Sequence, residues 1–322
     1  MLSLCCITSF IWFLLKCYIV YRITRTCVHL LRAATIYYLI PYSGLWKPRL
    51  ADKYGERWCV VTGCTDGIGR AYTLELARHG LRKFILIGRS RSRLDAVVDQ
   101  LKAINKDSWV ETYVFDFMDG DFAKMQTFLD EFDIGFLVNS VGAAHQFILK
   151  FCEQMAVNRE IMQINVNGTM EMLHCCIPNM VRNGGGQIVL ISSALGYGAS
   201  ARLAAYSASK ATVNSIGSAV GNEYAPDNVN IQVVAPSLVA TKLSKYETKA
   251  NLWVVSPEDL ARDAVPTIGL VNETAGCFNH EFQMVLLHLF PWCILNPVMT
   301  RVFDEHKVRL MKAAEKNGTV KE

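Results

Sequence analysis

The sequence contains no Cys-x-x-Cys and no His-Glu-x-x-His, and its seven histidines are scattered, so no metal site is expected. Its eleven cysteines include two adjacent pairs, Cys5-Cys6 and Cys175-Cys176, a spacing that suits neither zinc nor an ordinary disulfide. Set in apolar runs, they read as small buried hydrophobes in a reducing compartment. A strong excess of one charge is also lacking. A net charge of +4 on 322 residues makes no case for nucleic acid as a partner. No internal repeat or low-complexity linker interrupts residues 58–240, so one α/β domain with appendages is the expectation.

Charge is absent from Leu2 to Leu15, LSLCCITSFIWFLL. As a helix this run spans about 21 Å, short of the roughly 30 Å hydrocarbon core of a bilayer. Extension to Tyr21 reaches about 30 Å and takes in Lys16, which can snorkel to the headgroups. No basic segment precedes the run and no Ala-x-Ala-like site follows it, which favours a retained membrane anchor over a cleaved signal. Lys16, Arg22, Arg25, Arg32, Lys47, Arg49 and Lys53, against Asp52 alone, put the following domain in the cytosol. Ala33 to Pro41, AATIYYLIP, is too short to span. It reads either as an interfacial segment with Tyr37 and Tyr38 at headgroup depth, or as a stretch packed on the domain.

What is present thereafter is an alternation. WCVVTG (58–63), KFILIG (83–88), ETYVFDF (111–117), IGFLVNS (134–140), GQIVLIS (186–192) and VNIQVVAP (229–236) are apolar and rich in β-branched residues. Segments of helical length, such as Gly69 to His79 and Arg91 to Ile104, lie between them. Apolar strands separated by helices predict a doubly wound parallel sheet, α/β in class, covered on both faces. Ligands of such sheets sit at the carboxyl ends of the strands.

VVTGCTDGIGRAY (60–72) lies at the first of those ends. Gly63, Gly67 and Gly69 permit a tight turn and the close approach of a pyrophosphate to a helix N-terminus. Thr65, Asp66 and Ile68 fill the turn, and Asp66 is placed to stabilise it through its side chain. The second strand ends Ile87-Gly88-Arg89-Ser90-Arg91, without the acid that an NAD site uses to hold a ribose 2′-hydroxyl. Arg89 and Arg91 suit a 2′-phosphate, so NADP(H) is the expected cofactor, although two arginines at a solvated helix start are the plain alternative. Asp116, at the end of the third strand, is placed to accept from an adenine amino group. In AYSASK (205–210), Tyr206 and Lys210 share one helix face. Such a pair arises readily by chance, but a lysine beside a tyrosine also favours the phenolate.

Thr62-Gly63-x-x-x-Gly67-x-Gly69, Asn139-Ser140-Val141-Gly142, Asn165, Ser193 and Tyr206-x-x-x-Lys210, in this order and spacing, resemble the short-chain dehydrogenase/reductase family over roughly residues 55–275. TGCTDGIGRAY, LVNSVG, YSASK, VATKL and the apolar N-terminus are similar to one branch of it. That branch holds microsomal very-long-chain 3-oxoacyl-CoA reductases, 17-beta-hydroxysteroid dehydrogenases of types 3 and 12, and hydroxysteroid dehydrogenase-like proteins. The resemblance implies a Rossmann domain over 55–275, a membrane anchor and interfacial segment over 1–50, and an apolar flap with a polar tail over 276–322. It implies an NADPH-dependent reductase of a lipid ketone at the endoplasmic-reticulum membrane facing the cytosol, with the mitochondrion as the alternative and a homodimer left open. By the same resemblance Tyr206 is the proton donor, Ser193 holds the carbonyl oxygen, Lys210 binds the nicotinamide ribose, and Asn165 orders a water leading to Lys210. Asn139 borders the cofactor and Thr241 contacts the nicotinamide amide. Ser140 departs from the family's second asparagine, which braces the central strands. A catalytically silent scaffold and a soluble reductase of small carbonyl compounds are the rival readings.

The last third begins with the loop KLSKYETKANLWVV (242–255), where Leu243, Trp253 and Val254 either line an apolar pocket or pack on the core. Ser256-Pro257-Glu258-Asp259 marks a helix start. FQMVLLHLFPWCILNPVM (282–299) is apolar but broken by Pro291 and Pro297. It reads as a flap that packs beside the pocket or dips into the membrane.

Overall fold

A computed structural model of the chain describes residues 4–44, 46–145, 149–244, 251–290, 294–298, 300, 301 and 305. The polar tail, the middle of the 242–255 loop and the break at Pro291 lie outside these residues. The strands are β1 (Trp58–Thr62), β2 (Lys83–Gly88), β3 (Trp109–Val114), β4 (Ile134–Asn139), β5 (Gly186–Ile191), β6 (Val229–Val234), and the short β7 (Leu238–Val239), β8 (Val254–Val255) and β9 (Glu273–Thr274). The helices are α1 (Leu4–Ala34), α2 (Ile40–Ser43), α3 (Leu50–Tyr54), α4 (Gly67–Arg78), α5 (Arg91–Ile104), α6 (Phe122–Leu129), α7 (Met155–Met162), α8 (Gly168–Arg182), α9 (Ala204–Tyr224), α10 (Pro257–Ala264) and α11 (Phe278–Leu289).

Seven strands form one parallel sheet in the order β3-β2-β1-β4-β5-β6-β9. Alternate side chains of each strand point to opposite faces. Val61 and Leu86 meet Tyr72 and Leu76 of α4 and Leu94 of α5 on one face, joined by α10. Val60 and Ile85 meet α6, α8 and α9 through Met125, Met172 and Val213 on the other. Double coverage is why the inner strands read as unbroken apolar runs. β3, on the sheet edge, alternates between exposed and half-buried residues and stops at Val114, so the expected strand over 111–117 ends early. Phe115 and Phe117 instead turn into the core from the loop.

The chain crosses over between β1 and β4, and β2 and β3 lie on the other side of β1. All six long strands point the same way. The segments after Thr62, Gly88, Val114, Asn139, Ile191 and Val234 therefore share one edge of the sheet, which positions the site at the switch point.

α1 is 31 residues long, about 46 Å at helical rise. No described helix is long and apolar enough to cross a membrane. The end of α1 continues through a π turn, Thr35–Leu39, and packs along α11. Of the two readings of 33–41, packing on the domain is the one realised. Ala33 and Ile36 are buried, the Tyr37 hydroxyl meets Thr274 Oγ1, and the Tyr38 ring meets the edge of Phe278 at 4.9 Å. The Tyr37 phenol thus has a protein partner.

Candidate active site

Strand β1 delivers Thr62 and then the glycine turn. Gly63 has φ +63°, and a Cβ there would lie 2.7 Å from Ser140 O. A Cβ on Gly69 would lie 2.3 Å from Gly63 O. Only glycine fits these two places, and the result is a groove without side chains over the N-terminus of α4. Asp66 caps that helix by accepting from Gly67 N at 2.7 Å, as the sequence suggested, and α4 starts at Gly67, two residues earlier than expected. Thr65 lies beside Gly88, linking the turn to the end of β2. Ile68 packs its side chain on the core.

Arg89 and Arg91 are exposed at the end of β2, with Arg91 Nε donating to Asp95 Oδ1 at 3.0 Å. Asp116 accepts from Met118 N at 3.0 Å, which holds its own loop at the end of β3. On the far side, Thr241 sits over the glycine turn; a Cβ on Gly67 would lie 3.1 Å from its Cγ2. Lys242 Nζ then reaches Asp66 Oδ2 at 2.9 Å, a pairing across the groove that sequence alone gave no means of finding. Hydrogen bonds from Lys242 and Gly67 hold the Asp66 carboxyl below the usual carboxylate range against a desolvation cost. A side-chain-free cradle, a helix N-terminus and two solvent-facing guanidinium groups fit a dinucleotide carrying a 2′-phosphate.

Thr62 braces the junction of β1 and β4. Its Oγ1 donates to Asn139 Oδ1 at 2.7 Å and accepts from Ser140 N and Val141 N at 3.1 Å each. Asn139 Nδ2 donates to Thr169 Oγ1 at 2.9 Å, and that hydroxyl donates to Asn165 O at 2.7 Å. The buried Asn139 amide bonds Thr62 and Thr169 inside the protein, so its side chain shapes the wall at the end of β4. Thr62 and Asn139 brace the junction beside Ser140, whose backbone N–H is held by Thr62.

Asn165 lies in a π turn, Gln163–Asn167, inserted between α7 and α8, the kind of bulge often found at functional sites. Its Oδ1 accepts from Ala143 N at 2.7 Å and its Nδ2 donates to Ala143 O at 3.0 Å and Ser209 Oγ at 2.9 Å. The side chain thus clamps the 142–145 loop to α9; this bracing is what the geometry assigns to it, beside the water-ordering that the resemblance implied.

Ser193 follows β5 and caps a single 3₁₀ turn, Ala194–Tyr197, accepting from Leu195 N at 3.2 Å. Tyr206 and Lys210 stand one turn apart near the start of α9. Burial raises the Tyr206 phenol above its ordinary value, and the Ser193 hydroxyl partly offsets this. Lys210 is 5% exposed and its Nζ donates to Ile191 O at 2.9 Å, 5.9 Å from the centre of the Tyr206 ring. Burial brings its ammonium down to about 8. In this structure the Lys210 ammonium bonds the β5 carbonyl, and desolvation is the largest influence on the Tyr206 phenol. Ser193, Tyr206, Lys210 and Asn165 do converge, and the glycine turn and Thr241 face them across the β1–β4 junction.

The substrate side is less complete. Val254 is buried, whereas Leu243 and Trp253 are exposed, so neither belongs to the core. Two buried polar atoms that the sequence did not single out, His145 Nδ1 and Ser200 Oγ, have no partner among the described residues. They lie on the loops after β4 and β5. Their signal is tertiary: neither residue belongs to a spaced motif.

The short chain dehydrogenase family matches residues 57–252. The very-long-chain 3-oxoacyl-CoA reductase of Homo sapiens is 33% identical over 264 residues, covering 81% of this chain and 84% of that protein. The "inactive hydroxysteroid dehydrogenase-like protein 1" of Pongo abelii is 36% identical over 251 residues, 75% of this chain and 74% of that protein. Among solved structures, a short-chain dehydrogenase from Sphingobium yanoikuyae in complex with NADPH is similar with a TM-score of 0.59 and 25% identity. It covers 65% of this chain and 82% of that one.

Proposed function

The chain belongs to the short chain dehydrogenase family, and from that premise we propose that it reduces a lipid ketone with NADPH, Tyr206 giving the proton. The observation that carries this reading is the convergence of Ser193, Tyr206 and Lys210 at the carboxyl end of β5, where burial also raises the Tyr206 phenol. A phenol that stays protonated at neutral pH is a competent acid for reduction; the reverse reaction would need the phenolate. Bound nicotinamide supplies the hydride. Ser193 and Tyr206 both donate to the carbonyl oxygen, so charge building there meets two donors. Lys210 stabilises the phenolate left behind, and an ammonium titrating near 8 is suited to returning a proton at neutral pH.

NADPH is favoured by Arg89 and Arg91 where an acid would stand for NAD, and is supported by the NADPH complex of the Sphingobium protein. A 3-oxoacyl-CoA or a 17-ketosteroid as substrate is supported by the names of the relatives and by the apolar surface of α1. We extend the proposal to topology: α1 holds the enzyme at the endoplasmic-reticulum bilayer with the domain facing the cytosol. Exposed Phe10, Ile11, Trp12 and Phe13 and the basic residues that follow support it. A homodimer is proposed through α7 and α9, where Met155 and Met162 are exposed beside Ala204 and Ala208 and line a 530 Å³ groove. The second reading, a catalytically silent binding protein, is favoured by the Pongo relative's name. It conflicts with the assembled Ser193, Tyr206 and Lys210.

The test is a panel of 3-oxoacyl-CoAs, 17-ketosteroids and a short soluble ketone, with purified full-length protein in detergent and NADPH or NADH. Tyr206→Phe should lower turnover at least about a hundredfold while NADPH still binds. No turnover across the panel would favour the silent protein, and fastest turnover of the soluble ketone would overturn the lipid substrate. Protease added to intact microsomes should digest the domain after residue 50. Protection, or release by alkaline carbonate, would overturn the topology.

A further inference from the structure

We infer that Glu273 is a positioning residue that couples the docked end of α1 to the turn carrying Ser193. Glu273 opens β9, whose pairing with β6 fixes it against Val233 at the edge of the sheet. Its backbone carbonyl accepts from Arg32 Nη2 of α1 at 2.9 Å, and its carboxylate Oε1 accepts from the Tyr197 hydroxyl. Thr274, next in the strand, meets the Tyr37 hydroxyl and donates to Glu281 Oε1 of α11 at 2.9 Å. Two residues of β9 therefore hold the end of α1, the start of α11 and the active-site turn together.

Tyr197 closes the 3₁₀ turn that Ser193 caps. The opposite side of this turn is fixed by α9, because a Cβ on Gly196 would lie 2.8 Å from Lys210 C and 2.7 Å from Asn214 Nδ2. The turn is thus held by α9, by the bond from Ala194 N to Pro236 O at 2.9 Å, and at its Tyr197 end by the hydrogen bond to Glu273. Tyr197 is 41% exposed, so the bond to Glu273 is the main polar restraint on its side chain and on that end of the turn. When α1 undocks, the hydrogen bond from Arg32 to Glu273 breaks, β9 loosens, and through Tyr197 the far end of the turn that Ser193 caps is loosened. α1 then serves as more than a tether: its attachment completes the site. The catalytic part of this inference rests on Ser193 holding the substrate carbonyl; the mechanical part does not.

The experiment uses the full chain in detergent micelles with NADPH and a long-chain 3-oxoacyl-CoA, and reads amide hydrogen exchange over 193–200 in parallel. Glu273→Ala and Tyr197→Phe should each lower kcat about tenfold, the loss of one hydrogen bond to a charged acceptor, with the NADPH Kd unchanged. Glu273→Gln keeps a carbonyl acceptor and should retain most of the activity. The double variant should be no slower than either single one. Exchange across the turn should rise about tenfold in Glu273→Ala and also in Arg32→Ala, which lies far from the chemistry. Tyr197→Phe keeps the ring of an exposed residue, so it decides the matter if Glu273→Ala fails to fold. Unchanged exchange in the turn, or additive losses of kcat, would overturn the coupling. If the wild type turns over no ketone, the functional reading fails, while exchange still decides whether Glu273 joins α1 to the turn.

Discussion

Val60 and Val61 in β1 have no exposed surface, whereas Phe10 and Trp12 in α1 are 60% and 62% exposed. All four are apolar, so composition does not separate them. In the sheet, helices on both faces complete the surroundings of each side chain, at about 1.5–3 kcal/mol for each large residue buried. α1 docks by its end, through Arg32 and Ala33 and through Ile36 of the π turn that follows, and its earlier turns are exposed over most of their surface. The domain is closed on itself and α1 is open. An exposed row of large apolar residues marks an interaction surface, and the proposed bilayer partner rests on that contrast.

Phe136→Ala should break the closed side hardest. The ring is fully buried in β4 and meets the edge of Tyr54 at 5.5 Å. Its loss should cost about 3–5 kcal/mol, measured by urea unfolding in detergent. A cost under about 1 kcal/mol would mean that the core is no more demanding than α1.

Lys210 sharpens the same contrast for charge. Burial lowers its ammonium from 10.5 to about 8. Between those values the unfolded chain holds a proton that the folded chain lacks, so stability should rise with pH across this window. Below 8 the full penalty, about 3 kcal/mol, is present. Unfolding free energies from pH 7 to 10.5 should show this slope in the wild type and not in Lys210→Met. Equal slopes in the two proteins would mean that water reaches the ammonium.

Arg89 stands outside the core, at the mouth of the groove. Arg89→Asp should weaken NADPH binding by about 1–3 kcal/mol and leave NADH little changed, as read by fluorescence titration. Equal affinity of the unmutated protein for both cofactors would remove Arg89 from the selection. The smallest effect on folding is expected on α1. Phe10→Ser, Trp12→Ser and Phe13→Ser should each shift domain unfolding by no more than about 0.5 kcal/mol, while together they move the protein from the membrane fraction to the soluble one. Unfolding of the domain by these changes would show that α1 belongs to the core after all.

The sequence by itself determined the inner strands, the glycine turn and the Ser256 cap of α10, while Ser193 joined Tyr206 and Lys210 only through the resemblance to a family. The strands, the turn and the cap are each a local code: period, cap chemistry or fixed spacing along one chain segment. It also determined that the first turns of α1 are apolar and uncharged. Only the tertiary structure decided where their partners lie. Tyr37 turns inward because Thr274, 237 residues away, offers it a hydroxyl. Lys210 bonds Ile191 and leaves the Tyr206 phenol raised, because β5 brings a carbonyl closer than the ring. Asn139 is drawn into bracing by Thr62 and Thr169, and Lys242 crosses to Asp66. β9 is two residues long and carries no strand signal, yet its pairing with β6 places Glu273 between Arg32 and Tyr197. Hydrogen bonds and burial of this kind depend on segments far apart in the chain, and no period or spacing within one segment encodes them.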